Sequence, residues 1–283
     1  MSAHYSSLHK TASQIRRDIL EMVYQAQSGH LAGSLGMADV FTSLFPGKIL
    51  RHDSARPEWD KRDYFFLSNG HISPVFYATL AKDGYFSREK LQTFRQINSR
   101  LQGHPHFTWD QKQNLPGVEN SSGPLGQGLS QAAGMALALR MDHKKNKVFC
   151  MMSDGEQQEG QIWEAYQFII HQHINNLIGI IDCNKIQISG NVQQVLSLGN
   201  LKLKLMSFGF KVLEMDAHNF ADIFEKFTLA KNVGKQAVII LANSVPGKGV
   251  SFMENDYRWH GRPPNESEYH QAMNELKIRE KML

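Results

Sequence analysis

The sequence predicts an α/β fold in which a doubly wound, mostly parallel sheet is flanked by helices. Short apolar runs typical of buried strands alternate along the chain with longer segments of helical apolar spacing. In addition, polar residues directly follow two of the apolar runs, which is typical of the ligand-binding edge of a parallel sheet. No repeat or low-complexity linker divides the chain, so residues 1–283 are predicted to form a single domain.

The first half of the chain begins with a predicted helix over residues 11–27, where Ile15, Ile19, Met22 and Val23 recur at helical spacing. A second helix over 37–44 is ended by a Pro-Gly pair. The next elements predicted are a strand over 64–67, a helix over 74–80 and a helix over 126–140. A long polar loop over 100–122 separates the last two, and loops of that size in a compact domain are usually functional.

The second half alternates strands and helices more regularly. The elements predicted are strands over 148–152, 177–181, 210–213 and 237–241, helices over 159–174 and 220–229, and a charged terminal helix over 266–283. This alternation indicates crossover connections between parallel strands.

The composition is that of an ordinary globular chain, with 41% hydrophobic residues, 20% charged residues and a formal net charge of +4. No dense Lys/Arg block is present, so nucleic-acid binding is not expected. Two cysteines, Cys150 and Cys183, are too few for a disulfide framework or a zinc cluster and fit a reducing, cytoplasmic setting. No signal peptide or membrane-spanning stretch is expected.

Two polar clusters carry the first functional signal. Asp154-Gly155 follows the strand predicted at 148–152, and Asn184 and Ile186 follow the strand at 177–181. A carboxylate, a carboxamide and a backbone carbonyl at one sheet edge are hard oxygen ligands that suit Mg²⁺, and Gly155 allows a diphosphate to approach the backbone closely. Each cluster alone is more typical of a turn. Together, at crossover spacing, they predict a metal–diphosphate site.

Six motifs in one order resemble the transketolase family, and they extend from Ser28 to about His260. The Asp154-Gly155 and Asn184-Lys185-Ile186 pair resembles the thiamine diphosphate signature. The other motifs are Ser28-Gly29-His30 with Gly36-Met37-Ala38-Asp39, Leu67-Ser68-Asn69-Gly70-His71, Gly103-His104-Pro105, Gly117-Val118-Glu119 and Gly123-Pro124-Leu125-Gly126-Gln127-Gly128. The resemblance implies a thiamine diphosphate-binding fold and transfer of a two-carbon ketol unit from a ketose, expected to be phosphorylated, to an aldose.

The resemblance also implies roles for individual residues. It places Mg²⁺ or another divalent cation on Asp154, Asn184 and the carbonyl of Ile186. It assigns thiamine diphosphate contacts to His71, Gly123, Pro124, Leu125, Gly155, Glu159, Asn184 and His260. It assigns catalytic contacts to His30, His104 and His260, with His30 and His104 facing the sugars. Glu159 would lie at a subunit interface, although a helix N-terminal acid is nearly as good an explanation of that residue.

The chain departs from the family in three ways. Ser153 stands where a glycine is usual, and Leu31-Ala32 follow His30 where proline and glycine are common. The larger departure is length, because full transketolases carry two further domains. We therefore expect the N-terminal subunit of a split enzyme, whose partner carries the pyrimidine domain, in an α2β2 heterotetramer.

Alternative interpretations remain for some of these features. Residues 123–128 lack the glycine order and preceding strand of a dinucleotide loop, and Gly247-Lys248-Gly249 lacks the upstream glycine of a phosphate loop. Two other functions stay open at this point: the α-type subunit of another thiamine enzyme, such as a 2-oxoacid dehydrogenase, and a non-catalytic cofactor-binding regulatory subunit.

Overall fold

The structure is a computed structural model that describes residues 3–110 and 113–282. Its strands are β1 Tyr64–Leu67, β2 Val148–Ser153, β3 Leu177–Asp182, β4 Ile186–Gln187, β5 Gly190–Asn191, β6 Lys211–Asp216 and β7 Val238–Asn243. Five of them form one sheet in the order β1-β2-β3-β7-β6, and all neighbours in it are parallel. The remaining two, β4 and β5, form a small antiparallel hairpin.

The helices cover both faces of the sheet. They are α1 Ala3–Ala26, α2 Ala32–Gly36, α3 Ala38–Leu44, α4 Ser73–Lys82, α5 Gly128–Met141, α6 Gly160–His171, α7 Val192–Val195, α8 Leu201–Phe208, α9 Phe220–Asn232 and α10 Glu266–Lys281. Because side chains alternate along a strand, Ile178 and Ile180 of β3 join one core with α1 to α4 and α9. Leu177 and Ile181 join the other core, with α5, α6 and α8. The predicted doubly wound α/β architecture is therefore confirmed.

The predicted elements are all present, with shifted ends. The strand over 64–67 is confirmed at both ends, whereas β6 and β7 each run beyond their predicted ends. The first helix begins at Ala3 instead of residue 11, because Leu8, Ala12 and Ile15 continue one buried face. Residue 283 of the predicted terminal helix and residues 111–112 of the long loop lie outside the described residues.

Some short elements have no clear signal in the sequence. The helix α2 has the sequence Ala-Gly-Ser-Leu-Gly, whose glycines disfavour a helix, yet all its residues are buried. In α8, Leu205 is fully buried while Leu203 is 59% exposed, so the apolar spacing is weak. Tertiary packing holds both helices where local preference would not.

The segment after β7 returns across the C-terminal edge of the sheet and positions residue 260. The backbone N–H of Gly247 donates to the carbonyl of Ala32 at 2.8 Å. Val250 and Met253 are fully buried in the first core.

Among the described residues, no helix combines the length and apolarity needed to cross a bilayer.

Candidate active site

The predicted metal ligands meet at the C-terminal edge of β2 and β3. Ser153 and Asp182 are paired in register at the strand ends, so the residues that follow them leave the sheet side by side. The backbone N–H of Asp154 donates to the carbonyl of Asp182 at 3.0 Å. Asp154 and Asn184 are both only 5% exposed. The crossover spacing in the sequence thus brings these two side chains to one place, as predicted.

The Asp154 carboxylate ties two loops together. Its Oδ1 accepts from the backbone N–H of Gly155 at 2.7 Å, and its Oδ2 accepts from the N–H of Lys185 at 2.6 Å. Burial raises the pKa of Asp154 to about 6, although these two N–H groups act against the rise. The N–H of Gly155, which was predicted to meet a phosphate, donates to this carboxylate in the present structure.

Asp182 is a buried acid beside this pair that the sequence reasoning missed. Its carboxylate accepts from the Asn184 Nδ2 at 2.8 Å and from the hydroxyl of Ser244. Burial and, to a lesser extent, the charge of Asp154 together raise the pKa of Asp182 to about 7, although the hydrogen bonds from Ser244 and Asn184 act against the rise. Asp182 therefore orients the Asn184 carboxamide. The signal in the sequence that could have identified Asp182 is an acidic residue at the end of an otherwise apolar strand.

The donor set fits a hard divalent cation. Among the described residues, no group of three His, Cys, Asp or Glu side chains is placed to hold a metal. An ion here would depend on Asp154, the Asn184 carboxamide, the Ile186 carbonyl and oxygens of a ligand, which suits Mg²⁺. The Oε1 of Gln187 is buried without a hydrogen-bond partner, 3.5 Å from where a Cβ on Gly155 would lie. An unpartnered polar atom at this point also fits a bound ligand.

A cluster of histidines lies on the other side of the site. His30 follows α1, His71 lies in a 3-10 turn after β1, His104 lies in the long loop and His260 follows the turn Tyr257–Trp259. The ring centroid of His30 is 5.1 Å from that of His71, 5.4 Å from that of His260 and 6.3 Å from that of His104. Four distant segments thus converge on one point.

Burial favours the neutral form of these imidazoles. Burial and the charges of His260, Arg95 and His104 together lower the pKa of His30 to about 3. Burial also lowers the pKa of His71, His104 and His260. A neutral imidazole offers one N–H donor and one acceptor. The Nδ1 of His30 is buried without a hydrogen-bond partner, as are both polar side-chain atoms of Asn69, so the cluster has free groups for a ligand.

Gly33 brings the two halves of the site together. A Cβ on this α2 residue would lie 3.0 Å from Ile72 and 4.0 Å from the Nδ2 of Asn184. Ile72 is the chain neighbour of His71, so Gly33 lies between the metal edge and the segment that carries His71.

Residues 123–128 lie beside the histidine cluster. A Cβ on Gly123 would lie 3.8 Å from the ring of His104, while Pro124 is exposed and Leu125 half-buried. Glu156, another buried acid that sequence reasoning missed, accepts from the hydroxyl of Ser68 and from the N–H of Gly126 at 2.7 Å. It therefore ties this loop to the end of β1.

Glu159 lies neither at the metal-binding edge nor in the histidine cluster. Its side chain is exposed, and a Cβ on Gly126 would lie 2.9 Å from its Cβ. It is the N-cap residue of α6 and makes no capping hydrogen bond with its side chain, so its position also fits the alternative explanation as an acid favoured by the helix dipole. An exposed position beside the 123–128 loop agrees with an interface role.

Comparison with known proteins assigns this fold and site to a family. The family described as transketolase, thiamine diphosphate binding domain, matches residues 7–282. An apulose-4-phosphate transketolase subunit of Phocaeicola vulgatus is 36% identical over 96% of this chain and 95% of its own length. The 6-deoxy-6-sulfo-D-fructose transketolase subunit SqwG of a Clostridium species is 37% identical over 98% of each chain. The solved transketolase of Campylobacter jejuni superposes with a TM-score of 0.87 at 33% identity, covering 95% of this chain and 42% of that one.

The fold and site are those of a thiamine diphosphate-binding domain. The chain belongs to the transketolase family, and it has the extent of that family's separate subunits rather than of the full-length enzymes. This decides against the α-type subunit of a 2-oxoacid dehydrogenase. The chain is thus the thiamine diphosphate-binding subunit of a transketolase.

Proposed function

We propose that this chain, together with a partner subunit, transfers a two-carbon ketol unit from a ketose to an aldose. The observation that carries the proposal is that the Asp154–Asn184 edge and the segment of the histidine cluster that holds His71 both lie against Gly33. One side suits a metal-bound diphosphate, and the other side suits sugar hydroxyls and carbonyls. The sugars in the names of both subunit relatives carry an anionic group, so we propose an anionic sugar, phosphorylated or sulfonated, for this chain as well.

Asp154, Asn184 and the Ile186 carbonyl would hold Mg²⁺, and Gly155 would let the diphosphate of thiamine diphosphate lie against the backbone. When bound, the cofactor supplies the carbon nucleophile that allows a carbon–carbon bond next to a carbonyl to be broken and remade. The protein's contribution is to fix the diphosphate end. Asp182 supports this by holding the Asn184 carboxamide through its Nδ2, which leaves the Oδ1 of Asn184 directed to the loop at Ile186.

The histidines would handle protons on the sugars. Because His30 is neutral, its ring can donate to a carbonyl oxygen or accept from a hydroxyl without the cost of a buried charge. His104 would face the sugar beside it, and His71 and His260 would lie nearer the cofactor. Glu159, Gly123, Pro124 and Leu125 would complete the cofactor contacts of this subunit.

A partner would supply the pyrimidine domain and the acid that activates the cofactor, and we propose an α2β2 assembly. Both relatives are named as subunits, which supports a partner. Large apolar side chains are also exposed along residues 188–206, including Ile188 at 71% and Leu203 at 59%, and such surface is typical of interfaces.

For the chain itself, we propose that residues 1–283 form one domain. The two cysteines, both free, support a reducing cytoplasmic setting.

The test is a ketol-transfer assay on this chain mixed with a chain that carries the missing domains, with Mg²⁺ and thiamine diphosphate present. We expect turnover of a ketose–aldose pair by the mixture and none by either chain alone. Robust turnover by this chain alone would refute the split-enzyme proposal. Cofactor binding without any turnover by the mixture would instead favour the non-catalytic subunit.

A further inference from the structure

The side chain of Arg95 reaches the segment that carries His30. Its Nη1 donates to the hydroxyl of Ser28, two residues before this histidine, at 2.8 Å. The ring of Phe94, the chain neighbour of Arg95, packs against Gly29, because a Cβ on that glycine would lie 3.2 Å from the ring. These two side chains therefore border both residues that precede His30.

The same guanidinium lies against Gly103, the residue before His104. A Cβ on Gly103 would lie 2.8 Å from the Cζ of Arg95 and 2.9 Å from its Nε and Nη2, so any side chain there would displace the guanidinium. The Nε of Arg95 is buried at this contact and has no hydrogen-bond partner among the described residues. The backbone N–H of Arg95 donates to the carbonyl of Leu101 at 2.9 Å. Arg95 thus contacts the segment before His104 with both its side chain and its backbone.

Helix α4 holds the segment before His104 from another side. The hydroxyl of Tyr77 donates to the carbonyl of Gln102 at 3.0 Å, and the hydroxyl of Ser73 donates to the carbonyl of Gly103 at 2.7 Å. Tyr77 is fully buried, which keeps this contact away from water. Together with the carbonyl that the backbone of residue 95 binds, three consecutive carbonyls are held in place. The segment before His104 is therefore a fixed support from which the guanidinium reaches the other histidine segment.

The charge of Arg95 acts on the same two histidines. Burial is the main cause of the lowered pKa of His30 and of His104, and the charge of Arg95 lowers both pKa values as well. Coulomb interactions weaken with distance, so an effect on both rings agrees with a guanidinium near each of them. The two ring centroids are 6.3 Å apart.

We propose that Arg95 is a positioning residue for the ketol transfer, whose guanidinium clamps segment 28–30 to segment 103–104 and so fixes the spacing of the imidazoles of His30 and His104. This inference rests on the proposed ketol-transfer function. Arg95 acts through the two histidines and not by contact with the substrate. Its bond to Ser28 is charge-assisted and therefore strong, and a misplacement of about 1 Å at a catalytic group can cost about 100-fold in rate. The clamp should thus govern sugar turnover and leave cofactor binding unchanged.

The kinetic test uses the assembled enzyme. In Arg95→Met, which keeps an apolar stem and removes every donor, we expect kcat to fall about 10- to 100-fold. The dissociation constant of thiamine diphosphate should change by no more than about twofold, because the clamp lies on the sugar side of the site. Arg95→Lys should recover part of the loss, since an ammonium can still donate to Ser28. Arg56→Met, which changes an exposed arginine paired with Asp53, is the matched control. An unchanged kcat, or an equal loss of cofactor affinity, would overturn the proposal.

A comparison of substrates separates positioning from direct contact with the sugar. Arg95→Met should lower kcat/KM by the same factor for a phosphorylated aldose and for the same aldose without its phosphate. The reason is that both sugars depend on the same pair of imidazoles. A loss confined to the phosphorylated aldose would show that Arg95 contacts the substrate, and would overturn the positioning role.

A double-mutant cycle tests the route through Ser28. Ser28→Ala removes the acceptor and keeps the arginine, so it should lower kcat as well. The double variant with Arg95→Met should match Arg95→Met alone within about twofold, because both changes break one contact. Losses that multiply would show that the two residues act independently, and would overturn the clamp. If Arg95→Met does not fold, Ser28→Ala still decides, since a folded Ser28→Ala enzyme with unchanged kcat would overturn the clamp too.

A structural readout needs no turnover. In the 283-residue chain with labelled histidines, we expect a nuclear Overhauser effect between the rings of His30 and His104. It should vanish in Arg95→Met and persist in Arg56→Met. An effect that persists in Arg95→Met would overturn the clamp even if the assembled enzyme is active. Failure of the assembly to transfer ketol units would leave this readout intact, so the clamp and the proposed function are tested separately.

Discussion

Asp154 carries the negative charge of the oxygen set proposed for Mg²⁺, and Asn184 contributes a neutral oxygen to it. This difference leads to a graded prediction. Asp154→Ala should abolish Mg²⁺-dependent binding of thiamine diphosphate, because no other protein group of that set carries a negative charge to balance the charge of the ion. Asn184→Ala should weaken binding and leave the fold intact. Calorimetry on the assembled complex measures both, with the exposed acid variant Asp142→Ala as a control. Unchanged affinity in Asp154→Ala would sink the assignment.

In the function proposed, the histidines divide by the side of the site that they face. His30→Ala and His104→Ala should lower the rate of sugar turnover more than the affinity for the cofactor, and His71→Ala should lower both. Loss of a proton-transfer group costs about 10²–10⁴-fold in rate. Steady-state kinetics and cofactor titration separate the two effects, and His171→Ala, on the exposed side of α6, is the control. Full activity in both the His30 and His104 variants would contradict the substrate-side role.

At the scale of elements, a buried ion network holds α1, α3 and the segment after β7 together. Asp39 of α3 accepts from Arg16 of α1 at 3.0 Å and binds the Nδ1 of His218 at 2.9 Å. The Nε2 of His218 accepts from the N–H of Val245 at 2.8 Å. Through His218, Asp39 therefore helps to fix the position of Val245, from which the chain continues to His260.

The same network predicts acid sensitivity. Burial alone would raise the pKa of Asp39, but the charge of Arg16 and the bonds from His218 and Arg16 outweigh it and hold this pKa well below its usual range. A lowered carboxyl pKa stabilises the fold above the unfolded value of about 4, and that stability is lost as the pH falls below it. Asp39→Asn should cost about 3–5 kcal/mol at neutral pH, because it leaves Arg16 buried without a partner.

Chemical unfolding at several pH values measures this effect. Asp39→Asn should also flatten the loss of stability between about pH 4 and pH 2. Asp53→Asn, which removes an exposed carboxylate, should change stability little. An acid transition of unchanged steepness in Asp39→Asn would show that another group governs it.

At the scale of the whole molecule, we propose that the chain presents half of a site. It spans 42% of the C. jejuni transketolase and nearly the whole length of the two subunit relatives. The chain alone should fold and bind thiamine diphosphate weakly, and the mixture with its partner should bind it tightly as an assembly of two chains of each kind. Analytical ultracentrifugation and cofactor titration check the two statements. Equal cofactor affinity with and without the partner would contradict the half-site.

The sequence by itself determined the parts that depend on local pattern. Continuous apolar runs marked the buried strands β2 and β3, because both of their faces meet helices. The polar residues after those strands marked Asp154 and Asn184, since the carboxyl ends of parallel strands share one edge. The order of the motifs indicated the family.

Only the tertiary structure decided what depends on distance and burial. His30, His71, His104 and His260 come from separate segments, and nothing in their spacing states that the ring of His30 lies 5.1–6.3 Å from the other three rings. The burial of Asp182 and, among the described residues, the unpartnered Nε of Arg95 likewise follow from which groups surround them in space. Desolvation and Coulomb interactions act through space between residues far apart in the chain, so sequence order cannot reveal them.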